Sequence, residues 1–120
     1  MARILLIGFD EATANQIGKL IQQENHVGDR RAMDLRTLDT EGADLVLVCG
    51  DDRKCMDMLA ISMKRGRRIP YVVVTRLPET ARWLDALEAG AVDYWAGPFE
   101  STQFRWLLDS ALPHTHCAAA

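Results

Sequence analysis

"ALEAGAVDYWAGPF", residues 86–99, carries three structural signals in succession. Gly90 reads as a helix stop, because glycine commonly sits just past a helix end. "AVDYWA" (Ala91 to Ala96) reads as a strand, and Gly97-Pro98 punctuates its end. Upstream, "PETARWLDALEAG" is a helix with a proline start and a glycine stop. Downstream, "ESTQFRWLLDSAL" places Phe104, Leu107, Leu108 and Ala111 at helical spacing and ends before Pro113. Helix, strand and helix follow with only short turns between, the rhythm of a parallel α/β chain.

That rhythm extends back to the N-terminus. "RILLI" (Arg3 to Ile7) is a short, continuous apolar run, as expected of a strand covered on both faces. "EATANQIGKLIQQ" (Glu11 to Gln23) sets Ala14, Ile17, Leu20 and Ile21 on one helical stripe. A short strand is expected near Val27 to Ala32, and "DLRTLDTEG" reads as a short helix closed by Gly42. "ADLVLVC" (Ala43 to Cys49) and "IPYVVVT" (Ile69 to Thr75) are two further buried strands. Between them "DRKCMDMLAISMKRG" reads as a helix with Met56, Leu59, Ala60 and Met63 inward. In the helix of residues 78–90, Leu84 and Leu87 carry the apolar stripe.

The expectation is a five-stranded, doubly wound parallel sheet flanked by five helices, flavodoxin-like, in the order 2-1-3-4-5. It occupies residues 1–112, with 113–120 as a tail or the start of a linker. Ligands of such sheets sit at the carboxyl ends of the strands. That singles out Gly8 to Glu11, Cys49 to Arg53, Thr75 to Leu77 and Ala96 to Phe99.

Composition narrows the function classes. A chain of 120 residues makes one domain with one core. Hydrophobic residues at 48% and charged residues at 26% exclude a disordered chain. A net charge of -3 argues against direct nucleic-acid binding. No apolar run reaches the ~18 residues of a membrane span, and "MARILLIG" does not read as a cleavable signal. Three cysteines, Cys49, Cys55 and Cys117, lack metal-type spacing and fit reduced thiols in a cytoplasm. There is no Gly-rich phosphate loop and no nucleophile elbow.

With "ALEAGAVDYWAGPF", "ADLVLVC" and "IPYVVVT" in place, the chain resembles a bacterial response-regulator receiver domain from Arg3 to about Leu112. The resemblance implies phosphoryl transfer to an aspartate ending the third strand. An acidic pair after the first strand would share Mg²⁺ with it, a Ser or Thr and a Lys would bind the phosphoryl oxygens, and an aromatic residue would switch position. Residue by residue the match breaks. Gly8 and Phe9 fall on the acidic pair, Cys49 on the acceptor aspartate and Gly97 on the lysine. Thr75 and the strand aromatic Tyr94 remain. A glycine offers no side-chain ligand, and a cysteine forms no acyl phosphate. A degenerate receiver, or pseudo-receiver, is therefore expected: not an enzyme, holding no cofactor and no metal.

Other readings stay open at this stage. Asp10, Glu11, Asp51 and Asp52 lie at the same sheet edge as displaced acids. Asp10, Glu11 and Asp51 would then hold Mg²⁺, Asp51 or Asp52 would accept the phosphoryl group, and Arg53, Lys54 or Arg76 would replace the lysine charge. The plainer role for these acids is to cap and charge the starts of helices. Cys49, close to a helix start and to Cys55, is a candidate redox switch or simply a small buried filler. Phe9 and Gly97 either open a pocket for a small apolar ligand or plug it. His114, His116 and Cys117 in the tail are potential metal ligands or part of a linker.

The resemblance also implies an output surface on the fourth helix, fifth strand and fifth helix. Trp83, Trp95 and Trp106 are its candidate anchors, since tryptophan is enriched at interface hot spots. Arg82, Asp85, Glu88, Asp93, Arg105 and Asp109 would form a polar rim. The expected partner is a second copy, or the output domain of a longer transcription regulator in a histidine-kinase pathway.

Overall fold

In the computed structural model, which describes residues 2–34, 42–64, 69–76, 80–96 and 100–112, the apolar runs become strands and the amphipathic stretches helices. The order is β1 (Arg3–Ile7), α1 (Glu11–Gln23), β2 (Val27–Arg31), β3 (Leu45–Cys49), α2 (Cys55–Lys64), β4 (Tyr71–Thr75), α3 (Thr80–Glu88), β5 (Asp93–Ala96) and α4 (Ser101–Ala111). All five strands are parallel, in the order β2-β1-β3-β4-β5.

Strand alternation divides the core into two layers. On one side Ile4, Leu6, Leu45, Leu47, Val72 and Val74 meet Ala14, Ile17 and Ile21 of α1 and Phe104, Leu107 and Leu108 of α4. On the other, Leu5, Ile7, Val46, Val48, Tyr71 and Val73 meet Cys55, Met58 and Leu59 of α2 and Ala86 of α3. The register keeps like with like: Leu5 lies beside Val46, Leu47 beside Val72, and Val73 beside Tyr94. Each large side chain buried this way contributes about 1.5–3 kcal/mol of transfer free energy.

The turns follow local chemistry. Asp10 caps α1, its Oδ1 accepting the Thr13 N–H at 3.3 Å. At the stop read in residues 86–99, Gly90 sits at φ 111°. Its N–H donates to Leu87 O at 3.1 Å, and Ala91 N–H to Ala86 O at 3.0 Å. Those two bonds are the Schellman closure, and the left-handed φ is why glycine occupies the position. The edge strand β2 is charged, with Asp29 held by Arg3 at 2.8 Å, which discourages pairing with a foreign strand.

Several expectations change. The second strand ends at Arg31 rather than Ala32. Four helices stand among the described residues, not five; the expected helix of residues 34–42 falls largely on 35–41, outside them. Among the described side chains of α2 the inward residues are Cys55, Met58 and Leu59, while Met56 is 41% exposed and Ala60 is also outside; the Met63 side chain lies outside the described set. This helix is apolar nearly all round, so two stripes share the same spacing. Among the described side chains of α3 the buried one is Ala86, and Leu84 is 49% exposed. Residues two apart point ~200° apart on a helix, so burying Ala86 turns Leu84 outward.

Candidate functional site

The carboxyl ends of β1, β3 and β4 open into a cavity of about 510 Å³. The strand-end residues singled out above meet there: Gly8 and Phe9 after β1, Cys49 at the end of β3, and Thr75 at the end of β4. Asp10, Asp51, Asp52 and Arg76 line it too, whereas Glu11 is exposed in the first turn of α1 and does not. Gly97 lies outside the described residues, as do His114, His116 and Cys117.

Gly8 sits at φ 82°, a left-handed conformation that side-chain-bearing residues rarely adopt. A Cβ there would approach Met33 Cε at 3.1 Å. A side chain at this position would be both strained and crowded. Phe9 then turns into the α1 and α4 layer, 5% exposed. Its carbonyl accepts two hydrogen bonds from the Arg30 guanidinium, at 3.1 and 3.3 Å. Arg30 belongs to β2, and no sequence signal connects it to Phe9.

The three aspartates of this edge play different parts. Asp10 is the cap of α1, and its hydrogen bond with Thr13 lowers its carboxyl below the ordinary value. Asp52 opens the approach to α2: its Oδ1 accepts the Lys54 N–H at 2.8 Å, and its carbonyl accepts the Cys55 N–H at 3.1 Å. Asp51 does something else. It accepts the Thr75 hydroxyl through Oδ1 and the Arg76 N–H through Oδ2 at 3.2 Å. The Arg76 guanidinium stands 3.8 Å from the same Oδ2. One carboxylate thus takes the hydroxyl, the amide and the charge at the end of β4. Sequence reasoning placed Asp51 at this edge but missed its tie to Thr75, a contact across 24 residues.

Gly50 makes that tie possible. A Cβ at Gly50 would lie 2.7 Å from Val73 Cγ1 and 3.3 Å from Thr75 Cβ, so the loop after β3 lies flat on β4. Its N–H donates to Val74 O at 2.7 Å. Among the described residues, no group of three or more His, Cys, Asp and Glu converges as a metal site would require. Arg53 and Lys54 are exposed and do not line the cavity.

The thiols stand in the opposite setting from an activated pair. Burial pushes the half-buried Cys49 thiol up, and the Asp51 and Asp52 charges push the same way. Burial likewise drives Cys55 up to about 12, with Cys49 and both aspartates adding to it. A reactive thiolate needs electropositive surroundings.

The aromatic residues separate as well. Tyr94 faces the α2 and α3 layer, and its hydroxyl is buried without a hydrogen-bond partner among the described residues. Trp95 packs on the α1 and α4 layer and donates Nε1–H to Asp93 Oδ2 at 2.7 Å. That places it in the core margin rather than on an outer face. Trp106 on α4 is 62% exposed, and Val92 before β5 is 54% exposed. Arg82 and Asp109 are exposed; Arg105 is too, and binds Glu24 Oε1 at 2.7 Å, tying α4 to the end of α1. The side chain of Trp83 lies outside the described set.

No protein-family model matches the chain, and no curated protein matches it. Solved structures do. A response regulator receiver domain protein from Clostridium thermocellum superposes with a TM-score of 0.81 at 17% identity, covering 98% of this chain and 99% of that one. An orphan response regulator of H. pylori gives 0.78 at 22% identity, covering 93% and 97%. The beryllofluoride-activated NtrC4 receiver domain dimer gives 0.80 at 15% identity, also covering 93% and 97%. The chain has the fold of these receiver domains, a five-stranded parallel sheet in the order 2-1-3-4-5 with helices on both sides. No described helix is long and apolar enough to cross a membrane.

Proposed function

We propose that this chain is a receiver-like signalling module that does not undergo phosphoryl transfer and acts by binding a protein partner. The observation that carries the proposal is the placement of Asp51. In the resemblance, Thr75 is the residue that binds a phosphoryl oxygen. Here its hydroxyl is already donated to a carboxylate of the same chain, with the Arg76 N–H beside it. A second anion arriving there would meet the charges of Asp51 and Asp52 at close range. Cys49 at the end of β3 supplies no carboxylate, and Gly8 supplies no side-chain metal ligand.

The surface that remains for output lies on α3, β5 and α4. Trp106 is large, exposed and rigid, the profile of an interface anchor. Leu84 and Val92 add exposed apolar area on the same three consecutive elements and the turn joining them. The partner is a second copy or an output domain in a two-component pathway, and the setting a cytoplasm.

The test is a titration with Mg²⁺ and then beryllofluoride, a phosphoryl mimic, followed by backbone amide NMR. Unmoved resonances at Gly8 to Glu11, Cys49 to Arg53 and Tyr94 support the proposal. Saturable shifts at physiological Mg²⁺ would show that the displaced acids still run phosphorylation chemistry, and the proposal would fall.

A further inference from the structure

We propose that a second cavity, on the α2 and α3 side of the sheet, binds a small neutral molecule that presents a carbonyl oxygen to the Tyr94 hydroxyl. This cavity, of about 310 Å³, opens between α2 and α3. Its size stands at the lower end of the ~300–1,000 Å³ of small-molecule sites and suits a body of one ring.

Two independent observations meet there. The first is the wall: Val73 of β4, Cys55 and Met56 of α2 and Ala86 of α3 make it apolar. The second is Tyr94, which borders the same cavity from β5, beside Val73 in the sheet. Its hydroxyl oxygen is buried and has no hydrogen-bond partner among the described residues. Buried polar groups are nearly always paired, so an orphan hydroxyl on a cavity wall marks where a polar ligand atom gains most. A phenol O–H donates well to a carbonyl oxygen. The hydroxyl oxygen is covered in this structure, so binding includes a small turn of the Tyr94 ring towards the cavity.

The charges around the cavity select a neutral ligand. Asp51 borders it but is committed to Thr75 and Arg76, with the Arg76 guanidinium 3.8 Å away. That leaves Asp52 and Asp85 against Arg53 and Arg82, two charges of each sign. Neither an anion nor a cation finds a net field there, and both lose hydration on entering an apolar space. A neutral carbonyl compound loses little hydration and gains the Tyr94 bond. The cavity is bordered by α3 and β5, two of the elements assigned to the output surface, so an occupant there gives the module an input. The binding itself does not depend on the proposed function.

The test uses acetophenone, benzoate and benzamidine, three water-soluble probes of one shape and different charge, each followed by NMR on the whole chain. Acetophenone is expected to shift the amides of Cys55, Met56, Val73, Arg82, Ala86 and Tyr94 saturably, together with the Tyr94 ring signals. It is expected to bind about three- to tenfold tighter than either charged probe. Tyr94→Phe removes the hydroxyl and keeps the ring. Its acetophenone affinity is expected to fall about three- to tenfold, while its Tm stays level with the parent or rises, because no hydrogen bond is lost. Equal binding of all three probes, or no saturable shift with acetophenone at roughly 20 mM, overturns the assignment. So do shifts confined to Phe9, Thr13 and Gln16, which border the other cavity. An unchanged acetophenone affinity in Tyr94→Phe, or a Tm lower by more than about 2 °C, overturns the role of the hydroxyl. None of these outcomes bears on the beryllofluoride titration, so the two proposals fail separately.

Discussion

Replacing Asp51 with alanine tests the contact on which the functional proposal depends. The variant removes the acceptor for the Thr75 hydroxyl and for the Arg76 N–H together. Thr75 is 1% exposed, so its hydroxyl gains little from water when that acceptor is lost. Hydrogen bonds to a charged acceptor contribute about 1.5–3 kcal/mol each when shielded. The Asp51 side chain is 29% exposed, and removing it also relieves its repulsion with Asp52, so only part of the sum is lost. The Arg76 ion pair adds at most a few tenths of a kcal/mol, because its guanidinium is 71% exposed. The net loss is expected to be about 2 kcal/mol. For 120 residues, an unfolding entropy of ~2.1 cal/mol/K per residue converts that to a Tm lower by about 8 °C. Asp51→Asn keeps one carbonyl oxygen and is expected to lose roughly half as much. Thermal unfolding by circular dichroism measures both, with urea titration at unchanged m as the cross-check. If Asp51→Ala melts within about 2 °C of the parent, or above it, Asp51 does not hold the end of β4.

Gly8→Asp, which places an acid after β1, should destabilise by about 1–2 kcal/mol, because φ 82° disfavours a side chain and Met33 Cε crowds it; stability equal to the parent in urea would contradict this. Gly50→Ala should cost about 1–3 kcal/mol and shift the Thr75 amide, since its Cβ would sit 2.7 Å from Val73 Cγ1; a neutral outcome would mean the loop does not lie flat on β4. The Cys55 thiol, pushed up to about 12 by burial, favours the folded state fully below the ordinary thiol value of 9.0. That contribution is lost as pH rises from about 9 towards 12, so stability should fall over this window and fall less in Cys55→Ala. Equal alkaline slopes would count against a buried neutral thiol. Trp106→Ala should leave Tm nearly unchanged, because the side chain is 62% exposed, while weakening self-association in sedimentation about tenfold or more. An unaltered dissociation constant would remove Trp106 from the interface.

Much of the fold was legible because the strands of a doubly covered parallel sheet are continuous apolar runs. β1 and α1 have the bounds read from the sequence, and the glycine stop at Gly90 forms the closure expected of it. The errors arose where one spacing served two faces. In α2, Cys55, Met58 and Leu59 compete with Met56 and Ala60, and only contact with the sheet decides between them. In α3 a small residue, Ala86, takes the close approach that a larger Leu84 suggested. Alternation correctly set Tyr94 and Trp95 on opposite sides of β5. It did not show that the layer of α1 and α4 takes in Trp95.

The site was legible in position but not in connection. Gly8, Phe9, Cys49 and Thr75 could be placed at one sheet edge from the sequence, since parallel strands bring their carboxyl ends together. What each group does there depends on distances no local pattern encodes. Asp51 and Asp52 are chemically identical neighbours, yet one turns back into its own loop and the other reaches across to β4. The difference comes from Gly50, whose bare Cα lets the loop sink onto Val73 and carry Asp51 to Thr75. Residue identity alone would describe this edge as a site that had lost its charges. The geometry describes an edge whose acids serve its own turns, with Asp51 bound to the end of β4. A glycine and an aspartate in sequence, Gly50 and Asp51, are therefore the pair on which the order of this edge turns.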